Sequence, residues 1–404
     1  MRSVLKKVAA AVLAVVLAAS LCGCDRGYIM TVDGMDIRNG VYLSFLRAAY
    51  SMASEELEKQ KTDDDTSDDT SDDETSTVPL TQEDIGGKTG SQWIKDETLR
   101  NVRMFVAIQR QCDKLGLTLT DEEIREINSE INEMWDEESD YNMYVYGYKT
   151  MGEYYESQGV GQESLRELYR VDKLQDKLFM YFYGKGGEFE VPDSEVDDYM
   201  KENYAVVKVQ GFSYTDALGN KLESDAEKKA VKDEAQGYAD RINKGEKPVD
   251  IFYEYTLAYA QRAVEAEAET EYKEDNAKGL TKEEWIKEQI ESLGITKLES
   301  DDDIDVFLSK VSTNFDKDTM EYIFNAPDDG KATLFDTENG VYLIIKEDIT
   351  KKTVWREDNY DSILSDIKGD DFRNMVDLFG QNYEIVIDDE SLVNKKYSPE
   401  TLNA

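Results

Sequence analysis

The sequence predicts a mainly α-helical protein with a smaller α+β domain set inside it. Three patterns carry that expectation. Apolar residues recur at helical spacing over about 39–61, over 91–183 and again over 355–380, with a short strand pattern before the first stretch and another after the last. Between these stretches, two alternating apolar runs at 204–212 and 340–346 enclose further helical patterns, which is the layout of an α+β unit. The Gly-rich turn Gly184-Lys185-Gly186-Gly187 separates the two kinds of region.

The elements follow in order. Arg2, Lys6 and Lys7 precede an apolar run of about 14 residues, too short to span a bilayer and suited to a removable export signal. Its end, Leu21-Cys22-Gly23-Cys24, resembles the bacterial lipobox, and that resemblance makes Cys24 the lipidated N-terminus. Residues 28–37 read as a strand and a turn at Asp33-Gly34, and a helix is expected over about 39–61 with Tyr42, Phe45, Leu46 and Tyr50 on one face. Residues 62–88 are read as a disordered acidic loop, because 62–77 hold only Asp, Ser and Thr with one Glu and cannot bury enough surface to offset chain entropy. Asp63, Asp65, Ser67 and Glu74 match positions 1, 3, 5 and 12 of a calcium loop, but Asp68 stands where such loops need Gly. The match reads as repetition, and no metal site is expected.

A helix over 91–115 carries Trp93, Ile94, Leu99, Val102, Phe105, Val106 and Ile108, and Gly116 ends it. Thr120 and Glu123 form the capping-box pattern that opens the next helix, to about 138. Helical patterns at 151–158 and 162–183 complete the region. The second region opens with a helix at 193–203 and the strand at 204–212, then a charged helix at 225–243, a break at Gly245 and Pro248, and helical patterns at 252–259, 280–294, 303–311 and 320–324. A turn at Gly330 and the strand at 340–346 finish it, and a helix at 355–380 and a strand at 383–388 end the chain.

Composition excludes several chemistries. The formal net charge is −41, and losing the three signal cations would take it to −44. Nucleic acid is therefore not a partner, because binding there depends on cationic neutralisation of phosphates. Anionic headgroups would repel the same body, so the lipid must hold it to the membrane, while basic partners are attracted. Once the signal is removed only Cys24 and Cys112 remain, so no intrachain disulfide is expected, and Cys112 reads as a small buried core residue. The chain contains no histidine, which removes Ser-His-Asp and Cys-His nucleophile activation and imidazole bases. No phosphate-binding glycine loop or dinucleotide fingerprint is present, and no cofactor is expected.

Several ordered segments carry a wider resemblance. They are the strand ending in Val32-Asp33-Gly34, the long helix after it, Lys114-Leu115-Gly116-Leu117-Thr118-Leu119-Thr120-Asp121-Glu122-Glu123, the segment 159–168, and Val191-Pro192-Asp193-Ser194-Glu195. In this order they resemble the SurA and PrsA-type extracytoplasmic foldases over nearly the whole mature chain. The resemblance implies a helical chaperone module, its N- and C-terminal segments packed together, around an inserted parvulin-like prolyl-isomerase domain. The implied divisions are a signal at 1–23, the N-terminal chaperone region at 24–192, the parvulin-like domain at 193–353 with an acidic helical insertion at about 263–303, and a C-terminal helix and strand at 354–404. Residues 384–387 are the expected partner of 29–32.

Parvulin sites, as the resemblance implies, place two histidines on adjacent strands beside Met and Phe side chains that clamp the proline. The first position falls on Val209, in Val207-Lys208-Val209-Gln210-Gly211, and the second on Tyr342, two residues after Gly340. The remaining equivalents are Met320 and Phe324, and Tyr322 and Phe212 are further candidates for a shallow groove, though all of these also suit a plain core. With both histidines replaced, no catalytic residue is assigned. Apart from the resemblance, residues 134–155 are dense in aromatic and Met side chains, which suit adaptable binding surfaces. Trp135, Tyr144, Tyr146 and Tyr148 are the candidates for a peptide-binding wall, and a packed helical core is the competing use.

The expected protein is a lipid-anchored chaperone on the extracytoplasmic face of the cell membrane, binding unfolded or nascent exported polypeptides, with an inactive parvulin-like domain. Two alternatives remain open from sequence. One is an active prolyl isomerase with a relocated site, and the other a surface- or solute-binding lipoprotein of the same architecture.

Overall fold

The computed structural model describes residues 27–64, 78–269, 272 and 279–403. Cys24 and the export signal lie outside the described residues, as do Asp65, Ser67 and Glu74 of the calcium-like pattern. Among the described residues no helix is long and apolar enough to cross a membrane. The fold is mainly helical with small sheets, and the chain divides into two compact units, Met1–Glu190 with Lys368–Ala404, and Val191–Ile367.

In the first unit, β1 (Tyr28–Val32) and β2 (Met35–Arg38) form an antiparallel hairpin. Its two central residues, Asp33 at φ 49° and Gly34 at φ 73°, both lie in the left-handed region that a tight hairpin turn demands. The other edge of β1 pairs antiparallel with β9 (Ile385–Ile387), with Met30 opposite Ile387 and Val32 opposite Ile385. The sheet order β2-β1-β9 therefore joins the two ends of the described chain.

Helices α1 (Asn39–Asp64), α2 (Gly90–Leu115) and α6 (Gln162–Tyr183) pack together, and α3 (Asp121–Asp136) lies on α6. Two short helices, α4 (Asp140–Tyr146) and α5 (Met151–Ser157), fill the connection from α3 to α6. The core is Ile29, Met30, Val32, Tyr42, Leu46, Ile94, Val102, Val106 and Leu178, all buried. Caps set the helix ends as the pattern predicts: Gly116 at φ 70° stops α2, and the Thr120–Glu123 capping box starts α3. Cys112 is buried, its Sγ donates to the Leu174 carbonyl at 3.4 Å, and burial pushes its thiol up to about 11.

The expected disordered loop at 62–88 is corrected at both ends. α1 continues to Asp64. Leu80–Gln82 forms a single 3-10 turn, and β3 (Asp84–Ile85) pairs with β4 (Lys88–Thr89). Ile85 supplies the reason, since its side chain is fully buried and anchors what an average over the acidic tract obscures. Gly90 permits the close approach there, because a Cβ would lie 2.0 Å from the Leu80 carbonyl oxygen.

The second unit is built on an antiparallel four-stranded sheet of order β6-β5-β8-β7. Its strands are β5 (Tyr204–Ser213), β6 (Val306–Ser309), β7 (Ala332–Asp336) and β8 (Gly340–Glu347). α7 (Asp193–Asn203) leads into β5, while α8 (Asp225–Asn243) and α9 (Pro248–Ala268) cover one face. α10 (Lys282–Ser292) packs its Trp285 on Val264 and Ala268 of α9. α11 (Lys317–Asn325) covers the opposite face of the sheet. α12 (Thr353–Gly380) follows, and the division between the units falls within it.

Two expectations change here. The helical pattern at 303–311 is instead β6, with Tyr204 opposite Ser309 and Val207 opposite Val306. A run as short as Val306-Phe307-Leu308 fits either period, and pairing with β5 decides it. The expected break separates α8 from α9, with Gly245 at φ 102°, but α9 starts at Pro248, whose missing N–H costs nothing at a first turn, and it runs to Ala268, beyond the expected 252–259 on both sides.

Candidate functional site

Side chains on β5 and β8 alternate between two faces, and this period sorts the candidate residues. Val209, Met320, Phe324 and Tyr342 all lie on the face under α11, around Ala205, Val207, Leu308, Ile323 and Ile344. Met320 is buried, and the other three are half-buried. Val209 stands opposite Ile344 and Tyr342 opposite Gly211, where a Cβ would lie 3.5 Å from the Tyr342 ring. Tyr342 also meets Phe315 edge-on with centroids 5.6 Å apart, and Tyr322 stacks on Phe335 at 4.5 Å. Phe212 is not part of this surface. It packs on the opposite face against Tyr255, centroids 4.2 Å apart, because three residues separate it from Val209 and the strand period is two.

The polar groups of the α11 face are bound to their own structure. Lys346 Nζ donates to the carbonyls of Phe324 and Ala326 at 2.8 and 3.0 Å, and burial lowers its pKa. Thr319 Oγ1 donates to Asp316 at 2.8 Å, and Thr333 Oγ1 to the Ile344 carbonyl at 3.2 Å. The arrangement offers aromatic and sulfur contact surface, with no imidazole to direct at an amide.

The second candidate surface surrounds α4. Trp135 stacks on Tyr155, centroids 6.3 Å apart and planes 9° apart, and belongs to a small core with Ile127, Ile131 and Leu165. Tyr154 contacts Tyr155, Tyr146 and Tyr148 at 5.5, 4.9 and 6.1 Å, so three of the four predicted residues join one aromatic network through Tyr154 and Tyr155. Tyr144 stands outside these ring pairs, 90% exposed. Its helix has no buried residue, and Tyr141, Met143, Val145 and Tyr146 are exposed beside it. The sequence gives no helical signal over 140–146, because a helix without a buried face has no periodic apolar stripe. Beside α4 lies a cavity of about 400 Å³ lined by Glu130, Glu133, Glu137, Met134 and Met151 among others, which brings negative charge next to the apolar surface.

An ion cluster is the feature the sequence reading missed. Lys208 is buried, and its Nζ donates to Asp305 at 2.6 Å and Glu347 at 2.7 Å. Lys352 Nζ reaches Asp302, Asp305 and Glu347 at 2.7, 2.6 and 2.8 Å. Burial opposes charge on Glu347, but the two lysines outweigh it and hold the carboxyl below its usual range; Lys352 likewise keeps its proton more tightly despite burial. The three carboxylates lie close enough together to hold a metal, and each already accepts from at least one lysine ammonium. A lysine inside the apolar run Val206 to Val209 was the available signal.

No family model matches the chain, and no curated protein matches it. Among solved structures, that of the foldase protein PrsA from Streptococcus pneumoniae str. Canada MDR_19A aligns over 78% of this chain and 98% of its own, at 13% identity and a TM-score of 0.29. The structure of PrsA from Bacillus subtilis aligns over 80% of this chain and 98% of its own, at 14% identity and a TM-score of 0.27.

Proposed function

We propose that this protein is a membrane-anchored extracytoplasmic chaperone of the foldase kind, which holds unfolded exported polypeptides without isomerising their prolyl bonds. The observation that carries the reading is α4, where Tyr141, Met143, Tyr144, Val145 and Tyr146 are all at least 40% exposed on seven residues with no buried side chain. Exposed apolar patches of this kind mark interaction surfaces, and aromatic and Met side chains adapt to varied sequences. Acids lining the neighbouring cavity favour basic clients. Anchoring through Cys24 is part of the proposal and rests on the lipobox pattern.

Catalysis is left out for a chemical reason. Prolyl rotation has a barrier of about 20 kcal/mol, and the parvulin type of site resembled here sets histidines at the positions of Val209 and Tyr342. Here those positions carry an aliphatic chain and a ring packed over Gly211. The protein should suppress aggregation of an unfolded basic client and leave the isomerisation rate of a Xaa-Pro peptide at its uncatalysed value. Replacing Tyr141, Met143 and Tyr144 by Ser should weaken client binding by about 1 kcal/mol or more per side chain that acts as a hot spot, with an unchanged circular dichroism spectrum. Full holdase activity in the triple variant would rule out α4 as the binding surface. Isomerase turnover in the wild type would overturn the non-catalytic reading.

A further inference from the structure

The first unit also holds a cavity of about 480 Å³, lined from α1, α2 and α6 with no residue of α4 among the lining. Helical spacing makes it. Met104, Phe105 and Ile108 lie within little more than one turn of α2, and Leu168, Asp172 and Gln175 stand four and three residues apart on α6, so each helix turns one face to the same space. Phe45 of α1 adds a third side and meets Phe105 edge-on, ring centroids 5.6 Å apart.

An apolar lining alone would not say what the cavity takes. Four polar side chains also line it, Asn101, Tyr169, Asp172 and Gln175, and none of them makes a hydrogen bond or ion pair with another described residue. Ligand pockets combine an apolar body with a few convergent polar groups in this way. Asn101 and Gln175 carry carboxamides, which both donate to and accept from a peptide backbone whatever its sequence. Tyr169 stays a donor, because burial and the nearby acids Glu130 and Asp172 raise its pKa. Asp172 is exposed and is the only charged residue among the described ones that line the cavity, so it complements an occupant with a cation beside its apolar part. The net charge of −41 acts in the same direction, since it disfavours both an anionic amphiphile and a second copy of the chain.

We propose that this cavity takes a bulky apolar side chain of a polypeptide segment, with an adjacent lysine or arginine of that segment at Asp172. The site is separate from α4, and the proposal does not rest on the reading of that helix. The test follows the methyl resonance of Met104 in the full-length chain labelled at its methionine methyls, assigned as the one of twelve missing in Met104→Leu. The probes are N-acetyl-Phe-Lys-amide, N-acetyl-Phe-Gln-amide, N-acetyl-Ala-Lys-amide and octanol.

Saturable shifts with the Phe-Lys peptide and none with the Ala-Lys peptide are expected. Asp172→Asn should raise the dissociation constant of Phe-Lys roughly threefold and leave that of Phe-Gln unchanged. Leu168→Trp fills the cavity and should weaken both Phe peptides by about tenfold or more. Replacing Tyr141, Met143 and Tyr144 by Ser should leave these affinities as they are, which separates this site from α4. No saturable shift with Phe-Lys, an equal response to Ala-Lys, or an equal effect of Asp172→Asn on both Phe peptides overturns the proposal. So does tighter binding of octanol than of Phe-Lys, which identifies a lipid-like ligand, or a Met104 shift set by protein concentration alone, which identifies a second copy. Asp172 is exposed, so its substitution decides the matter even if Leu168→Trp fails to fold.

Discussion

Lys208 shows how one residue can constrain a whole sheet. Its ammonium is buried among apolar neighbours on β5 and is tolerated only because Asp305 and Glu347 accept its hydrogen bonds. Lys208→Met keeps the stem but leaves three carboxylates facing Lys352 alone, so stability at pH 7 should fall by about 3 kcal/mol or more. The pH dependence has a definite sign. Glu347 has a depressed pKa in the fold, so its contribution is present above the unfolded value of about 4.3 and is lost as pH falls through the lower folded value. Urea unfolding should therefore show a smaller gap between variant and wild type at pH 3 than at pH 7. An equal gap at both values would show that the carboxylates do not cause the loss.

At the scale of elements, legibility followed the strength of local signals. α2 and α3 combine a wide apolar stripe with a glycine stop or a capping box, so periodicity and end signals agree. α8 coincides with its expected span for a similar reason, since its Ser224–Glu227 box fixes the start. β6 and β7 are four and five residues long and depend on neighbours far along the chain, which no local window contains. Strand parity alone places Phe212 on the face opposite Val209. The link between β1 and β9 is testable in the same terms. Asp388 N donates to the Ile29 carbonyl and Asp33 N to that of Glu384, so the alternation of an antiparallel ladder turns the Val386 amide inward to Thr31. Val386→Pro removes that donor and should cost about 1–3 kcal/mol, with faster proteolysis of the C-terminal segment. Unchanged melting and proteolysis would mean that β9 contributes little to the unit.

For the whole molecule, charge sets kinetics more than fold. The chain carries 88 acidic against 47 basic residues and no histidine. A body of this charge draws basic chains toward it from beyond contact distance, while the exposed side chains of α4 act only once contact is made. The two contributions separate in rate measurements. Raising ionic strength from 0.01 to 0.15 M shortens the screening length from about 30 to about 8 Å, so the association rate with an unfolded basic client should fall by about tenfold or more, and the dissociation rate should change far less. Changing Tyr141, Met143 and Tyr144 should do the opposite, speeding dissociation and sparing association. Because no imidazole titrates between pH 6 and 8, both rates should be nearly the same at those two values. An association rate insensitive to salt would remove electrostatic steering from the account and leave apolar contact as the only source of client preference.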